Sequence, residues 1–262
     1  MEIGPDTRVV VTGASRGIGR AIAIAFAEKG AEVGLLSRSE EELNELALAL
    51  PGEGHEAIAA DVGDRDELKK AIDEFGRVDI VVVNAGVAHY GPFRDMDLEK
   101  IDRMTRINWA GTINTVTATL PGMLDRARGH VVIVSSGAGV RSFPWAAVYG
   151  ATKSAQRGFA EALRHELSGT GVSLTTVYPG EVKSHLHEHE QDGMPDWYRG
   201  KEKAAPAEPL GRAVVEAVEQ DKRAVYYPPL VRLLRIVHGI SPRLGDRMLR
   251  TMRGGTAAPR TD

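Results

Sequence analysis

The sequence predicts an α/β fold: a single doubly wound Rossmann-type domain with a mostly parallel, seven-stranded sheet and helices on both faces. Three observations lead to this prediction. Short runs of apolar and β-branched residues alternate with longer segments whose apolar residues recur at helical spacing. The first run leads straight into a glycine-rich loop that opens a helix. The run at 79–83 is apolar at nearly every position, as expected for a parallel strand covered on both faces.

The predicted elements follow one another in a regular order. The predicted strands span residues 8–11, 32–36, 57–60, 79–83, 131–134, 173–177 and 224–227. The predicted helices span residues 18–28, 39–50, 64–75, 97–120 and 148–167. Ser39 followed by Glu42 forms a capping-box pattern at the start of the second helix, and Asp64 with Glu67 marks the start of the third. Gly111 is a weak point inside the long fourth helix.

Composition limits the classes of function. The chain has 262 residues, of which 42% are hydrophobic and 26% charged, and we interpret it as one domain, 1–262, with an insertion near 184–209 and a basic tail at 229–253. The net charge of −3 argues against nucleic acid as the main partner. Cysteine is absent, which excludes disulfides and thiol chemistry. The polar N-terminus and the lack of a long apolar stretch predict a cytoplasmic protein.

The loop after the first strand has the spacing G-x3-G-x-G, formed by Gly13, Gly17 and Gly19. Glycines allow a sharp turn and let a pyrophosphate approach the N-terminus of the next helix, where free N–H groups favour anions. We therefore predict that this loop, including Ser15 and Ile18, binds a dinucleotide. The alternative is a tight strand–helix turn with no ligand.

The end of the second strand indicates which dinucleotide binds. An acidic residue there would hold the 2′-hydroxyl of NAD(H), but the chain has Ser37 and Arg38 instead. Arg16 lies in the glycine loop nearby. Two guanidinium groups and a hydroxyl suit a 2′-phosphate, so we predict NADP(H). The alternative is that both arginines are solvated surface charges.

Two further strand ends belong to the same predicted edge of the sheet. Asp61 and Val62 follow the third strand, where they would meet the adenine. Asn84, Ala85 and Gly86 follow the fourth, where small residues let the chain pass close to the cofactor. Ligands of doubly wound folds bind at the carboxyl ends of the strands.

Tyr149 and Lys153 are four residues apart in a segment with helical spacing, so they share a helix face. A neighbouring ammonium stabilises a phenolate, and we therefore predict that Lys153 lowers the pKa of Tyr149. A tyrosine tuned in this way exchanges a proton with a carbonyl oxygen. The pair also occurs by chance on many helices.

Taken together, these motifs resemble the short-chain dehydrogenase/reductase family, in its NADP(H)-preferring form. The resemblance covers about residues 8–184, with Ser136 thirteen residues before Tyr149, as is usual in the family. The matching residues are Gly13, Gly17, Gly19, Asn84, Ala85, Gly86, Asn108, Ser136, Tyr149, Lys153, Pro179, Gly180 and Ser184. The last three, with Val182 between them, resemble the segment that closes over the nicotinamide; threonine is commoner than serine at the last position.

The resemblance implies hydride transfer between NADP(H) and the carbonyl or alcohol carbon of a small molecule. Tyr149 would be the acid and base, and Lys153 would hold the nicotinamide ribose. Ser136 would bind the substrate oxygen, and Asn108 would hold a water that links Lys153 to solvent. Each residue also has a structural alternative, such as a strand-end cap for Ser136 and backbone contacts for Asn108. The rival functions are a non-catalytic NADP(H) sensor and a methyltransferase on a similar fold.

The substrate is less well determined than the reaction. Candidate pocket residues are His89, Tyr90, Ser142, Phe143, Trp145 and the segment after Pro179. Their aromatic rings favour a moderately apolar substrate, although Phe143 and Trp145 are equally suited to a subunit contact. The resemblance implies a homodimer or homotetramer built on the helices near 97–120 and 148–168.

Two segments remain outside this scheme. His185, His187 and His189 alternate in the insertion, but no matching downstream ligand follows them, so we predict no metal site. The tail at 229–253 mixes arginines with apolar residues. We interpret it as a pair of helices packed on the body or on a sister subunit, with peripheral contact to an anionic membrane as the alternative.

Overall fold

The computed structural model describes residues 1–183, 186 and 204–252. All seven predicted strands are present, and the fold class is confirmed. The strands are β1 (Arg8–Thr12), β2 (Glu32–Ser37), β3 (Glu56–Ala59), β4 (Ile80–Val83), β5 (Gly129–Val134), β6 (Val172–Pro179) and β7 (Ala224–Tyr227). They form one parallel sheet in the order β3-β2-β1-β4-β5-β6-β7. The order reverses between β1 and β4, which is where doubly wound folds bind ligands.

Helices connect the strands. They are α1 (Gly17–Ala27), α2 (Glu40–Ala49), α3 (Arg65–Phe75), α4 (Leu98–Met104), α5 (Gly111–Asp125), α6 (Gly137–Val140), α7 (Ala147–Glu166), α8 (Glu208–Glu219), α9 (Leu230–Ile240) and α10 (Pro242–Met252). A single 3₁₀ turn, Phe93–Asp95, precedes α4. The sequence prediction lacked α6 and α8, and α8 includes the last two residues of the predicted insertion.

Two hydrophobic cores lie on opposite faces of the sheet because successive strand residues point to opposite sides. Val9 and Val11 pack with α1, α2 and α8, whereas Val10 packs with α3, α5 and α7. Val9, Val10 and Val11 are all completely buried. The apolar runs recognised in the sequence therefore supply both cores, and this packing fixes the carboxyl ends of the strands at one edge.

The predicted long helix at 97–120 is instead two α-helices joined by a π-helical segment, Thr105–Ala110. Gly111 begins α5, so the predicted weak point is a real boundary. Within the π-helical segment, the carbonyl of Asn108 accepts hydrogen bonds from the Thr112 hydroxyl and from the side-chain amide of Gln156, which lies on the neighbouring helix α7. Single-turn π segments are frequent at functional sites.

One of the two predicted helix caps is confirmed. The Asp64 carboxylate accepts hydrogen bonds from the backbone N–H groups of Asp66 and Glu67, which closes the first turn of α3. The capping-box prediction for Ser39 is wrong, since its side chain makes no capping hydrogen bond. The first turn of α2 instead carries three acidic residues, which suit the positive end of the helix dipole.

The chain leaves the sheet after β6 and returns close to the same point. Val182 pairs with Ala205 in an isolated parallel bridge, and the backbone N–H of Lys183 donates to the carbonyl of Ala205 at 2.8 Å. The predicted insertion therefore starts and ends at neighbouring positions. Its central residues, including the three alternating histidines, lie outside the described residues.

The tail forms the two helices α9 and α10, as predicted. Val231 and Leu234 are buried against the body, and Arg141 forms an ion pair with Asp246 that holds α10 to the segment after α6. No helix in the described part of the chain combines the length and the hydropathy needed to span a bilayer.

Candidate active site

A cleft of about 620 Å³ opens at the carboxyl edge of the sheet, above the point where the strand order reverses. It brings together almost all of the predicted site residues. Those that line it are Gly13, Ser15, Arg16, Gly17, Ile18, Gly19, Ser37, Arg38, Asp61, Val62, Asn84, Ala85, Gly86, Ser136, Tyr149, Lys153, Pro179, Gly180 and Val182. Asn108 lies behind the wall, and Ser184 lies outside the described residues.

The glycine loop forms a cradle that only glycines permit. Gly13 and Gly17 have φ angles of +65° and +57°, which side chains rarely adopt. A Cβ atom on Gly19 would lie 2.1 Å from the carbonyl oxygen of Gly13. The first turn of α1 has no side-chain cap and no acidic residue. Its N–H groups and the helix dipole therefore face the cleft and suit an anionic group.

The loop is held to the end of β4 by hydrogen bonds. The Asn84 amide donates to the carbonyls of Thr12 and Gly13 at 2.9 and 3.2 Å. The Thr12 hydroxyl accepts from the backbone N–H groups of Asn84 and Ala85 at 2.9 and 3.1 Å. These bonds fix the glycine loop against the end of β4. In this structure the Asn84 side chain therefore shapes the cradle.

Arg16 and Arg38 are exposed at the edge of the cleft, and neither forms an ion pair with a described residue. Asp61, which follows β3, is an acidic residue that also lines the cleft. Its carboxylate accepts hydrogen bonds from the Arg106 guanidinium at 3.0 Å and from the backbone N–H of Gly63 at 2.8 Å. The cleft thus has one available guanidinium group in the glycine loop and one at the end of β2, while the carboxylate of Asp61 has partners of its own.

Tyr149, the predicted acid and base, lies on the first turn of α7 and is 5% exposed. Against the larger effect of burial, the neighbouring Ser136 side chain favours the ionised phenol and so lowers the pKa of Tyr149. The Ser136 hydroxyl also accepts from the backbone N–H of Ala138 at 3.1 Å and so caps the short helix α6. Ser136 therefore caps a helix, as the structural alternative predicted, and also lines the cleft, where it could bind a substrate oxygen.

Lys153 is buried, and its ammonium donates to the carbonyl of Val134 at 3.0 Å. Its Nζ atom lies 5.9 Å from the centre of the Tyr149 ring. Burial raises the pKa of Tyr149 to about 12, with the Ser136 side chain acting in the opposite direction. This is the reverse of the direction predicted from the sequence, because removal of the phenolate from water outweighs the other effects. Burial lowers the pKa of Lys153 to about 8.

Asn108 is completely buried in the π-helical segment. Its side-chain oxygen accepts from the backbone N–H of Val87 at 2.8 Å, and its amide donates to the Val87 carbonyl and the Thr152 hydroxyl at 2.9 and 3.1 Å. Asn108 therefore joins the segment after β4 to the helix that carries Tyr149 and Lys153. The water relay implied by the family resemblance stays a prediction.

The glycine cradle and the two guanidinium groups fit a dinucleotide phosphate group. The loop leaves room for backbone approach, and the uncapped helix start and the exposed arginines supply positive potential. Tyr149 and Lys153 lie in the same cleft, on the side formed by α7. The residues present therefore fit a nicotinamide dinucleotide that spans the cleft from the glycine loop to the tyrosine.

The other part of the cleft has an apolar wall. Tyr90 stacks on Phe143 with ring centres 5.9 Å apart, and its ring meets Tyr149 edge-on at 5.7 Å. His89 and Phe143 line the cleft as predicted. Tyr90, Ser142 and Trp145 do not line it: Tyr90 packs against the lining residues Phe143 and Tyr149, and the Ser142 hydroxyl donates to the carbonyl of Ala146.

Sequence reasoning missed the contribution of the C-terminal tail to this wall. Leu230, Val231 and Leu234 of α9 line the cleft, and Leu234 packs in one cluster with Tyr149. Their helical spacing was visible in the sequence, but nothing local shows that α9 returns to the site. The described residues contain no group of three metal-ligating side chains placed to hold an ion.

Comparison with known proteins identifies the family. The family model described as short chain dehydrogenase matches residues 7–195. The chain belongs to the short-chain dehydrogenase family. This short-chain dehydrogenase is 35% identical over 225 residues to an uncharacterized oxidoreductase of Listeria innocua, in an alignment that covers 81% of this chain and 90% of the relative. It is an oxidoreductase of this family, as the motifs predicted.

Solved structures share the fold of this short-chain dehydrogenase. The closed form of a serine dehydrogenase complexed with NADP⁺ has a TM-score of 0.77 at 29% identity, over 84% of this chain and 94% of the other. A 3-oxoacyl-[acyl-carrier protein] reductase of Brucella melitensis with bound NAD has a TM-score of 0.73 at 29% identity, over 86% and 92%.

Proposed function

We propose that this short-chain dehydrogenase transfers a hydride between NADP(H) and the carbonyl or alcohol carbon of a moderately apolar small molecule, with Tyr149 as the acid and base. One observation carries the proposal. Tyr149, Ser136 and Lys153 line one cleft together with the glycine cradle, and the Lys153 ammonium lies 5.9 Å from the centre of the Tyr149 ring. A proton donor and an anion site thus share one cleft.

Each residue has a defined part in carbonyl reduction. Bound NADPH supplies the hydride that reaches the carbonyl carbon. Ser136 donates a hydrogen bond to the carbonyl oxygen and stabilises the charge that develops there. Tyr149 gives its proton to that oxygen, and Lys153 stabilises the phenolate that remains. In the oxidation direction the same proton returns to Tyr149.

The preference for NADP(H) rests on Arg16 and Arg38. The two similar solved structures contain NADP⁺ in one case and NAD in the other, so similarity alone does not favour either dinucleotide. Both arginines are exposed at the cleft without an ionic partner among the described residues. Ser37 stands where an acid would reject a 2′-phosphate.

The apolar wall supports an apolar substrate. Tyr90, Phe143 and Leu234 belong to one cluster with Tyr149, so the substrate carbon would sit next to aromatic and aliphatic side chains. The burial of apolar substrate surface against such a wall contributes about 25 cal/mol per Å². Ketones with hydrocarbon or ring substituents are therefore the substrates we would screen first.

The experiment is a comparison of the wild-type protein with Tyr149→Phe. NADPH oxidation is followed with a panel of apolar ketones, and NADPH binding is measured by titration calorimetry. We expect the variant to lose nearly all turnover, by about a hundredfold or more, while NADPH binding persists. A variant that keeps most of its rate would exclude Tyr149 as the acid. Binding without turnover in the wild type across the panel would favour the sensor function.

We also propose that the protein is a homo-oligomer that assembles through the π-helical segment, α5 and α7. Trp109 and Phe159 meet edge-on at 5.9 Å and are both partly exposed on these elements. Sedimentation of Trp109→Ala beside the wild type tests this. A smaller assembly is expected for the variant, and an unchanged mass would exclude this surface.

A further inference from the structure

The two C-terminal helices carry an exposed row of large apolar side chains. Leu230, Leu233, Ile236 and Ile240 on α9, with Leu244 on α10, are between 43% and 77% exposed. On α9 the spacing of three or four residues places Leu230, Leu233, Ile236 and Ile240 along one side of the helix, and Leu244 follows on α10. We call these five residues the apolar face. Such a row is unusual because exposed apolar side chains of this size normally occur singly.

The two helices that carry the apolar face also carry exposed positive charge. Arg232, Arg235, Arg243 and Arg247 are all exposed on the same two helices. Asp246 is the only acid within 230–252, and it forms an ion pair with Arg141. Arg235 lies 4.0 Å from Glu161, whereas Arg232, Arg243 and Arg247 form no ion pair with any described residue. The two helices therefore carry a net positive charge, and the acid within them, Asp246, is already paired with Arg141.

We propose that the apolar face and its arginines bind the surface of an anionic lipid membrane, with α9 and α10 lying in the plane of the interface. Exposed leucine and isoleucine side chains enter the boundary between headgroups and acyl chains, and arginines bind the anionic headgroups. This chemistry is independent of the proposed reaction, and it involves no residue to which we assign a catalytic role.

Charge favours lipid over a second copy of the chain. A two-fold contact between two such faces would bring together two helix pairs of the same positive charge, and Asp246, the acid within them, is already paired. Nucleic acid would satisfy the arginines but would leave the leucine and isoleucine side chains without an apolar partner. A lipid surface satisfies both sets of groups.

The apolar face is continuous with the cleft. Leu230 belongs to the face and also lines the cleft, while Val231 and Leu234 line the cleft from the buried side of the same helix. Docking of the face would therefore bring the cleft opening to the lipid surface. A molecule dissolved in the membrane would reach the cleft along α9 with little exposure to water.

The test is vesicle flotation of the full chain. Vesicles contain equal parts of phosphatidylglycerol and phosphatidylcholine, or phosphatidylcholine alone. We expect the wild type to float with the anionic vesicles, more weakly with the neutral ones, and less as salt increases. The variant with Arg232→Gln, Arg243→Gln and Arg247→Gln should bind about a hundredfold more weakly, since each arginine near an anionic surface contributes about fivefold. The variant with Leu233→Ser, Ile236→Ser and Ile240→Ser should lose about tenfold or more.

Matched controls are available on other helices. Leu48→Ser removes a leucine that is 89% exposed on α2, and Lys69→Gln removes an exposed charge on α3. Both should float like the wild type, and thermal melts should show all variants folded. Absence of flotation, or loss equal in the controls, would overturn the proposal. So would a concentration-dependent dimer that the serine variant abolishes, because the face would then be covered by a second copy.

Discussion

The Nζ atom of Lys153 lies 5.9 Å from the centre of the Tyr149 ring and donates its hydrogen bond to the carbonyl of Val134, not to the phenol. The ammonium is therefore close to the phenol ring within the buried site but makes no hydrogen bond to it. Burial raises the pKa of Tyr149 to about 12 and lowers that of Lys153 to about 8. At neutral pH the tyrosine keeps its proton and the lysine keeps its charge, which is the state needed to protonate a reduced carbonyl.

Carbonyl reduction should therefore depend on pH through Lys153. The ammonium is charged below its pKa and neutral above it, so the reduction rate should be level below pH 8 and fall as pH rises through about 8. Rate profiles at saturating NADPH and ketone measure this. In Lys153→Arg the fall should move to higher pH even if the overall rate drops, because guanidinium keeps its charge. A fall at the same pH in both proteins would assign the titration to another group.

Reversal of the charge of Arg38 should change dinucleotide preference. Arg38→Glu places a carboxylate at the end of β2, where it repels a 2′-phosphate but accepts a hydrogen bond from a ribose hydroxyl. We expect the Kd for NADPH to rise about tenfold or more, with the Kd for NADH unchanged or lower. Titration calorimetry with both dinucleotides measures the change. Arg20→Glu, an exposed position on α1 that does not line the cleft, is the control. Equal weakening by both variants would indicate a general charge effect only.

Asn108 should be a stability determinant as well as a site residue. Asn108→Ala removes three side-chain hydrogen bonds from a fully buried position and leaves the Val87 backbone groups without partners. The free energy of unfolding should fall by about 2–4 kcal/mol. Urea denaturation measures it, with Thr152→Val as the comparison. Thr152→Val removes one of the three hydrogen bonds of the Asn108 side chain. If it lowered the free energy of unfolding as much as Asn108→Ala does, the two bonds to Val87 would contribute nothing and this prediction would be wrong.

His130 should make the protein sensitive to acid. Burial lowers the pKa of His130 to about 4, and its Nε2 atom lies 2.8 Å from the Thr175 hydroxyl. That hydroxyl donates to the carbonyl of Lys222, so the neutral ring carries its proton on Nε2. The unfolded chain takes up a proton near pH 6.5, whereas the folded chain does not until about pH 4.

The stability contribution of His130 is therefore complete above pH 6.5 and is lost as pH falls toward 4, by roughly 3 kcal/mol at most. Urea titrations at pH 7 and pH 5 measure this loss. His130→Gln should be less stable at pH 7 but should change less between the two pH values. A variant with the wild-type pH dependence would show that another group titrates.

The sequence was sufficient to predict those structural features that depend on residues close together in the chain. The strands, the glycine loop and the confirmed cap at Asp64 depend on neighbouring residues only. The division of the helix at 97–120 coincides with a contact between helices, because Gln156 of α7 donates to the Asn108 carbonyl, and spacing along one helix does not reveal such a contact. Leu234 reaches the cleft from the C-terminal tail, through contacts that spacing does not reveal. The pKa of Tyr149 required knowledge of burial, since the sequence shows the nearby charge but not the loss of water.

The bridge between Val182 and Ala205 has a consequence for how such a site diversifies. Because the chain departs and comes back at adjacent positions, residues 184–203 can be exchanged between relatives or lengthened without moving β6 or α8. The end of the cleft that holds the glycine loop, built on β1, β2 and β4, stays unaltered by such a change. A change in the length or sequence of this segment would therefore leave the residues of the proposed reaction in place.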